Sequence, residues 1–276
     1  AQAGQLITTV DAAAAAMQRF EDYVNLNYIA FSKILKKHDK LSTCPFRLPY
    51  LLKIQSQTFV RDKMSDIIKS LSDTRAAILS GELPPLTPIG QEEMAERLGV
   101  SRQPVSRALV LLKREGLIVE RGRKGQMVAP LDADRLRDLY QVRSALDRLA
   151  ARLAALNPEN VDTRGEVLHA IIADGEAATA KGDLAALVEA DVAFHRALYD
   201  LSGNPEIAST AEGAWPHMVR AMRVVLEDAS RHDTIWSDHR AITAAVVAGD
   251  ADRAGDLAAR HVDAAGAATY RRLTET

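Results

Sequence analysis

Met94-Ala-Glu-Arg-Leu-Gly-Val-Ser-Arg-Gln-Pro-Val-Ser-Arg-Ala-Leu-Val-Leu-Leu112 is the stretch that decides the fold of this 276-residue chain. Met94, Ala95 and Leu98 recur at helical spacing, and Gly99 breaks that helix before Val100. Ser101 then stands where a helix wants its N-cap, and Val105, Ala108, Leu109 and Leu112 supply the apolar stripe of a second helix. A helix, a short glycine turn and a capped second helix make a helix-turn-helix. The outward positions of the second helix, Arg102, Gln103, Ser106 and Arg107, carry donors suited to phosphates and base edges.

Just downstream, Gly116-Leu-Ile-Val119 and Gln126-Met-Val128 read as two short strands around the tip Arg121-Gly-Arg-Lys-Gly125. Glycines serve the turn, and Arg123 and Lys124 are cations for a DNA backbone or minor groove, so the hairpin reads as a wing. Charge agrees. The net charge is only -2, yet residues 97–124 hold eight Lys and Arg against two Asp and Glu, and residues 1–63 hold nine against five. A basic island in a near-neutral chain is the footprint of a nucleic-acid-binding module.

Composition bounds the rest. With 47% hydrophobic residues the chain can bury real cores, which excludes disorder throughout. Its single cysteine, Cys44, excludes an internal disulfide framework and fits a reducing compartment. No signal-peptide pattern opens the chain and no apolar run approaches the roughly 18 residues of a membrane span, so the expectation is a cytoplasmic protein with no membrane partner.

From Asp132 onward the pattern is helical. Glycine and proline fall only at punctuation points, Asn157-Pro158, Gly182-Asp183, Gly203-Asn204-Pro205 and Gly249-Asp250, which predicts an antiparallel bundle of about six or seven helices. On the helix from Asp183 the inward stripe runs Leu184, Leu187, Val188 and then, by steps of three and four, Asp191, His195 and Leu198. His239 shares a stripe with Trp236, Ile242 and Val246, and His261 shares one with Leu257, Ala264 and Ala265. Burying a carboxylate and three imidazoles without partners costs several kcal/mol. A divalent metal ion (Zn, Ni, Mn or Fe) compensates them, since it takes neutral imidazole nitrogens and a carboxylate oxygen. His169, His217 and His232 fall on no such position. An open coordination position could activate water in a metal-dependent enzyme. No second acid or base is evident, however, and a DNA-reading module is attached, so the reading is not an enzyme.

Several blocks also resemble known families. Arg75-Ala-Ala-Ile-Leu-Ser-Gly-Glu-Leu-Pro-Pro85, Met94 to Val105, and Leu111-Leu-Lys-Arg-Glu-Gly-Leu117 resemble the winged helix of the GntR family, over about residues 74–130. Two positions depart from the family pattern: Leu86 stands where glycine is usual, and Ser106-Arg107 where an Arg-Glu pair is usual, which moves a phosphate or base contact from position 106 to 107. Asp191-Val-Ala-Phe-His195, Ser202-Gly-Asn-Pro205, His239 with Ala241-Ile242, Gly249-Asp250 and His261 resemble the FCD ligand-binding domain, the helical sensor of the FadR subfamily, over about residues 132–272. That resemblance implies metal ligation by Asp191, His195, His239 and His261, and places Arg143 near an effector pocket. One carboxylate, three neutral histidines and a dication leave the site positive, and Arg143 with Arg220 or Arg223 would add to it, so a small carboxylate effector is expected.

The first third is different. Asn25 to Lys40 resembles the lysine-bearing helix of SPX domains, and a weaker likeness continues to about residue 70. It implies that Lys33, Lys36, Lys37 and Lys40, one face of a helix, bind phosphate or an inositol polyphosphate; four such ammonium groups repel unless an anion sits among them. Residues 1–73 are thus expected to form an incomplete helical hairpin, fused at a seam around 64–74 to a winged helix (74–130) and a metal- and effector-binding domain (131–276). The expected fold is mainly α: a winged helix-turn-helix followed by an all-α antiparallel bundle and preceded by that hairpin. The expected function is regulation of transcription by a homodimer on pseudo-palindromic operator DNA.

Overall fold

We describe the protein from a computed structural model, in which residues 65–122 and 125–275 are described and belong to one compact unit. Residues 1–64 of the expected N-terminal hairpin, with Lys33, Lys36, Lys37 and Lys40, lie outside the described residues, as do Arg123 and Lys124 at the wing tip.

Helix α1 runs unbroken over 65–79, through the point where a domain boundary was expected at 73/74. Its Ala77 and Ile78 are buried in the same small core as Val105, Leu109, Leu112, Leu117, Ile118 and Val128. Strand β1 (Pro88–Ile89) leads into α2 (Gln91–Leu98), which ends at Gly99 in the left-handed region at φ 66°, and α3 (Arg102–Arg114) follows. Glycine closes this turn because a Cβ at such a φ is strained. Ser101 occupies the N-cap of α3 with extended backbone, but its side chain makes no capping bond. Strands β2 (Ile118–Glu120) and β3 (Gln126–Val128) pair antiparallel as the wing. β1 adds to the outer side of β3 to give the order β1-β3-β2. Two residues led by a proline carry no periodicity, which is why β1 was not legible in the sequence.

The remainder is α4 (Ala133–Leu156), α5 (Arg164–Lys181), α6 (Leu184–Leu201), α7 (Pro205–Ala211), α8 (Trp215–Leu226), α9 (His232–Val247) and α10 (Ala251–Thr274). Short 3-10 turns at Pro158–Asn160 and Ala229–Arg231 interrupt it. Asp132, Asp183, Asn204 and Asp250 each accept a backbone N–H at the first turn of the helix that follows, so the punctuation residues of the sequence act as caps. α4 and α10 pack along their whole length. Gly266 permits the approach, because a Cβ there would stand 2.8 Å from the Tyr140 Cβ. α6 lies at the centre of the bundle, against α4, α5 and α8, with Phe194 and Leu198 fully buried.

The other face of α4 carries Leu139, Val142, Leu146, Leu149, Leu153 and Leu156, in alternating steps of three and four. Leu139, Leu146 and Leu153 are half-buried against the bundle, whereas Val142, Leu149 and Leu156 are exposed at 55%, 42% and 60%. The winged helix meets the bundle through α8: Arg220 donates to the Ala129 carbonyl, and His217 Nε2 lies 2.8 Å from the Glu115 carbonyl and 3.0 Å from Arg135 Nη2. Among the described residues no helix is long and apolar enough to cross a membrane.

Candidate metal centre and DNA-reading face

Three helices deliver four polar side chains to one buried point. Asp191 and His195 come from consecutive turns of α6, His239 from α9 and His261 from α10, and one ligand atom of each lies within 4.8 Å of all the others. His239 Nε2 is 3.4 Å from Asp191 Oδ1 and 3.2 Å from His261 Nε2, and His195 Nε2 is 4.0 Å from Asp191 Oδ1. Packing sets the rings: His239 stacks on Phe194 at 3.9 Å and meets the edge of Trp236, whose indole N–H is tied to Thr179 Oγ1.

Burial dominates the electrostatics. It holds the His195 and His239 imidazoles well below their ordinary value, and raises the Asp191 carboxyl. Neutral imidazoles are the form that ligates a metal. At 3.2 Å apart, the two Nε2 atoms of His239 and His261 can share at most one hydrogen, and His195 Nε2 is buried with no hydrogen-bond partner. Three imidazole nitrogens and a carboxylate oxygen turned toward one another make a donor set that fits a divalent cation.

The surroundings include residues that the sequence reading passed over. Asp147 on α4, fully buried, accepts the Tyr199 hydroxyl, lies 2.6 Å from His195 Nδ1 and 3.6 Å from Arg143 Nε. Burial raises its carboxyl, against the pull of Arg143 and Tyr199. Asp238 on α9 faces His261 Nδ1 at 3.2 Å. The rule that found Asp191 would have found Asp147 too: on α4 it interrupts an inward stripe that includes Leu136, Tyr140, Ala150 and Ala154.

Beside the cluster lies a partly open cavity with about 50 Å³ open to the centres of water molecules, lined by Tyr140, Arg143, Asp191, Met222, Asp238 and His261 among others. Arg143, buried to 2% exposure, lines this cavity and lies beside Asp147. Arg220 and Arg223, also expected near an effector, do not line it. Both face the winged helix, Arg220 on the Ala129 carbonyl and Arg223 packed on Gly81. Their periodicity on α8 was compatible with either side. His217, read as an ordinary residue, is part of the same junction, with its imidazole lowered by burial and by Arg135.

On α3, the buried side chains Val105, Ala108, Leu109 and Leu112 turn Arg102, Gln103 and Arg107 to the exposed side, with Ser106 half-buried. Arg102 is paired with Glu92. Such an exposed pair is weak and exchanges readily for a phosphate.

Comparison with known proteins agrees with this architecture. Residues 72–128 match the gntR family of bacterial regulatory proteins and residues 138–264 match the FCD domain. An HTH-type transcriptional regulator from an unstable DNA locus of Streptomyces ambofaciens is 32% identical over 211 residues, covering 76% of this chain and 86% of its own. A Paenarthrobacter nicotinovorans protein named "Probable D-xylose utilization operon transcriptional repressor" is 31% identical over 194 residues, covering 68% of this chain and 81% of its own. The crystal structure of a GntR transcriptional regulator from Rhodococcus sp. RHA1 superposes with a TM-score of 0.66 at 23% identity, over 77% of this chain and 99% of that one, which shows a shared fold. The chain belongs to the GntR family of bacterial DNA-binding transcriptional regulators, carries an FCD domain behind its winged helix, and is not an enzyme.

Proposed function

We propose that this regulator senses a small organic acid through a metal centre. The observation that carries the reading is the convergence of Asp191, His195, His239 and His261 beside a cavity that Arg143 lines. Those four residues hold one divalent cation, which supplies positive charge at the cavity wall. Arg143 supplies a second cationic group, and its planar fork suits a carboxylate. The small size of the cavity favours an effector of few heavy atoms.

The DNA-facing half of the reading assigns base contacts to Arg102, Gln103, Ser106 and Arg107 on α3 and backbone contacts to Arg123 and Lys124 at the wing. A homodimer presents two such helices to a pseudo-palindromic operator. Support for the dimer comes from the exposed leucine and valine stripe of α4, which repeats with the period of a two-helix seam.

Three measurements test the proposal. Elemental analysis of the purified protein should return one divalent ion per chain, and none for a His239→Ala, His261→Ala double variant. A thermal-shift screen of organic acids should find ligands that stabilise the wild type but not Arg143→Ala. On operator DNA, Arg107→Ala should lose roughly 1–3 kcal/mol and relax preference at one base position. Unchanged binding to operator and random DNA would remove Arg107 from the reading head.

A further inference from the structure

We propose that Asp147 and Asp238 are positioning residues for the four-ligand cluster, each fixing the tautomer of one histidine so that its Nε2 is left free for a cation. The inference rests on the metal reading above and names the side chains that preset the site before any ion arrives.

A carboxylate oxygen faces a ring Nδ1 at two independent places. Asp147 Oδ2, from α4, lies 2.6 Å from His195 Nδ1, and Asp238 Oδ2, from α9, lies 3.2 Å from His261 Nδ1. The first contact is not a well-aligned hydrogen bond. With Asp147 held as a carboxylate by Arg143 and the Tyr199 hydroxyl, an Nδ1 lone pair would be repelled at that distance, so the ring hydrogen belongs on Nδ1. On the opposite edge of each ring Nε2 turns to the cluster: that of His195 toward Asp191 Oδ1, and that of His261 toward His239 Nε2.

A neutral imidazole has two tautomers, and only one of them offers Nε2 as a lone pair; the other points an N–H at the cation. A carboxylate at Nδ1 selects the useful tautomer, holds the ring plane and makes the ligating nitrogen more basic. Asp147 is itself braced by the Tyr199 hydroxyl and stands beside Arg143, so one carboxylate orients both a metal ligand and the arginine of the cavity. His239 is the contrast. Its Nδ1 is buried with no partner, and its ring is held by stacking on Phe194.

The test uses the full chain stripped of metal, with Zn²⁺ as probe and a chelator as competitor. Wild type should bind one Zn²⁺, and Asp147→Ala and Asp238→Ala should each bind about 10- to 100-fold more weakly. Asp238→Asn keeps a carbonyl acceptor for the Nδ1 hydrogen and should recover part of the loss. Because the Asp238 side chain is 43% exposed, its variants keep the fold, whereas Asp147→Ala leaves Arg143 buried without its counter-charge. The Asp238 pair therefore decides if Asp147→Ala does not fold.

A second readout needs no metal. Long-range proton–nitrogen correlation of the metal-free imidazoles should find His261 as the Nδ1–H tautomer in wild type and a larger Nε2–H fraction in Asp238→Ala. Wild type that binds Zn²⁺ while Asp238→Ala matches it in affinity and tautomer overturns the proposal and leaves the metal reading standing. Wild type that binds no Zn²⁺ overturns both.

Discussion

Leu86 is the residue at which sequence and backbone disagree. It stands where the GntR pattern has glycine, and it is the one non-glycine residue at positive φ among those described, at 68°. The turn is enforced because its N–H donates to the Val128 carbonyl at 3.0 Å, tying the approach to β1 onto the wing. A left-handed leucine costs about 1–2 kcal/mol, partly offset by the greater freedom of glycine in the unfolded chain. Leu86→Gly should therefore stabilise the winged helix by about 0.5–1 kcal/mol in denaturant unfolding, and a loss of stability would refute the assigned strain.

His217 gives a pH dependence of known sign. Its partners across the junction are Arg135 from α4 and the Glu115 carbonyl at the end of α3, with Arg220 near it on α8. Folding lowers its imidazole below the ordinary 6.5, so the unfolded state binds the proton more readily. The stability of this contact is complete above the unfolded value and is lost as pH falls below it toward the folded one. The difference in melting temperature between wild type and His217→Gln should shrink between about pH 7.5 and 5.5. A difference independent of pH would mean that His217 does not titrate across the junction.

At the scale of elements, α4 has two working faces. The inner one carries Tyr140, Arg143 and Asp147 to the cavity and the histidine cluster, and the outer one carries the heptad from Leu139 to Leu156. Half-exposed leucines at a 3.5-residue period read as a seam that wants a second helix. Leu149→Asp places a charge at its middle, and should convert a dimer into monomers at micromolar concentration in sedimentation without loss of helical circular dichroism. A dimer of unchanged affinity would move the interface elsewhere. This heptad was open to sequence reading from the start, but the outward orientation of Val142, Leu149 and Leu156 was not, because both stripes of α4 are apolar.

For the whole molecule, α8 is the element that touches both the cavity and the winged helix. Met222, Val225 and Leu226 line the cavity, while His217 and Arg220 on the same short helix bond to the backbone of the winged helix. Arg220 does so as a buried cation, lowered to about 10 by burial and by Arg135 yet still charged at neutral pH. Reciprocity requires that operator DNA change effector affinity by the factor by which effector changes operator affinity, about 5- to 150-fold for typical coupling. Arg220→Met removes the bond to Ala129 and nothing from the cavity. Effector affinity of the free protein should stay within about twofold of wild type, and the change caused by operator DNA should fall toward one. Isothermal titration with and without DNA measures both, and full coupling in the variant would exclude this route.

Sequence alone determined the helix-turn-helix, the wing, the capped helices of the bundle and the four inward polar residues of the cluster. Each is a local pattern: a period, a cap or a polar interruption of an apolar stripe is written within a few turns of one element. Only tertiary structure decided that three helices bring Asp191, His195, His239 and His261 within 4.8 Å. It also decided that Asp147 and Asp238 stand behind two of those rings, and that Arg220 and Arg223 face the winged helix instead of the cavity. Those facts depend on how helices distant in sequence rotate and dock. Periodicity fixes which side of a helix is inward, but not which of several inward-facing neighbours it meets.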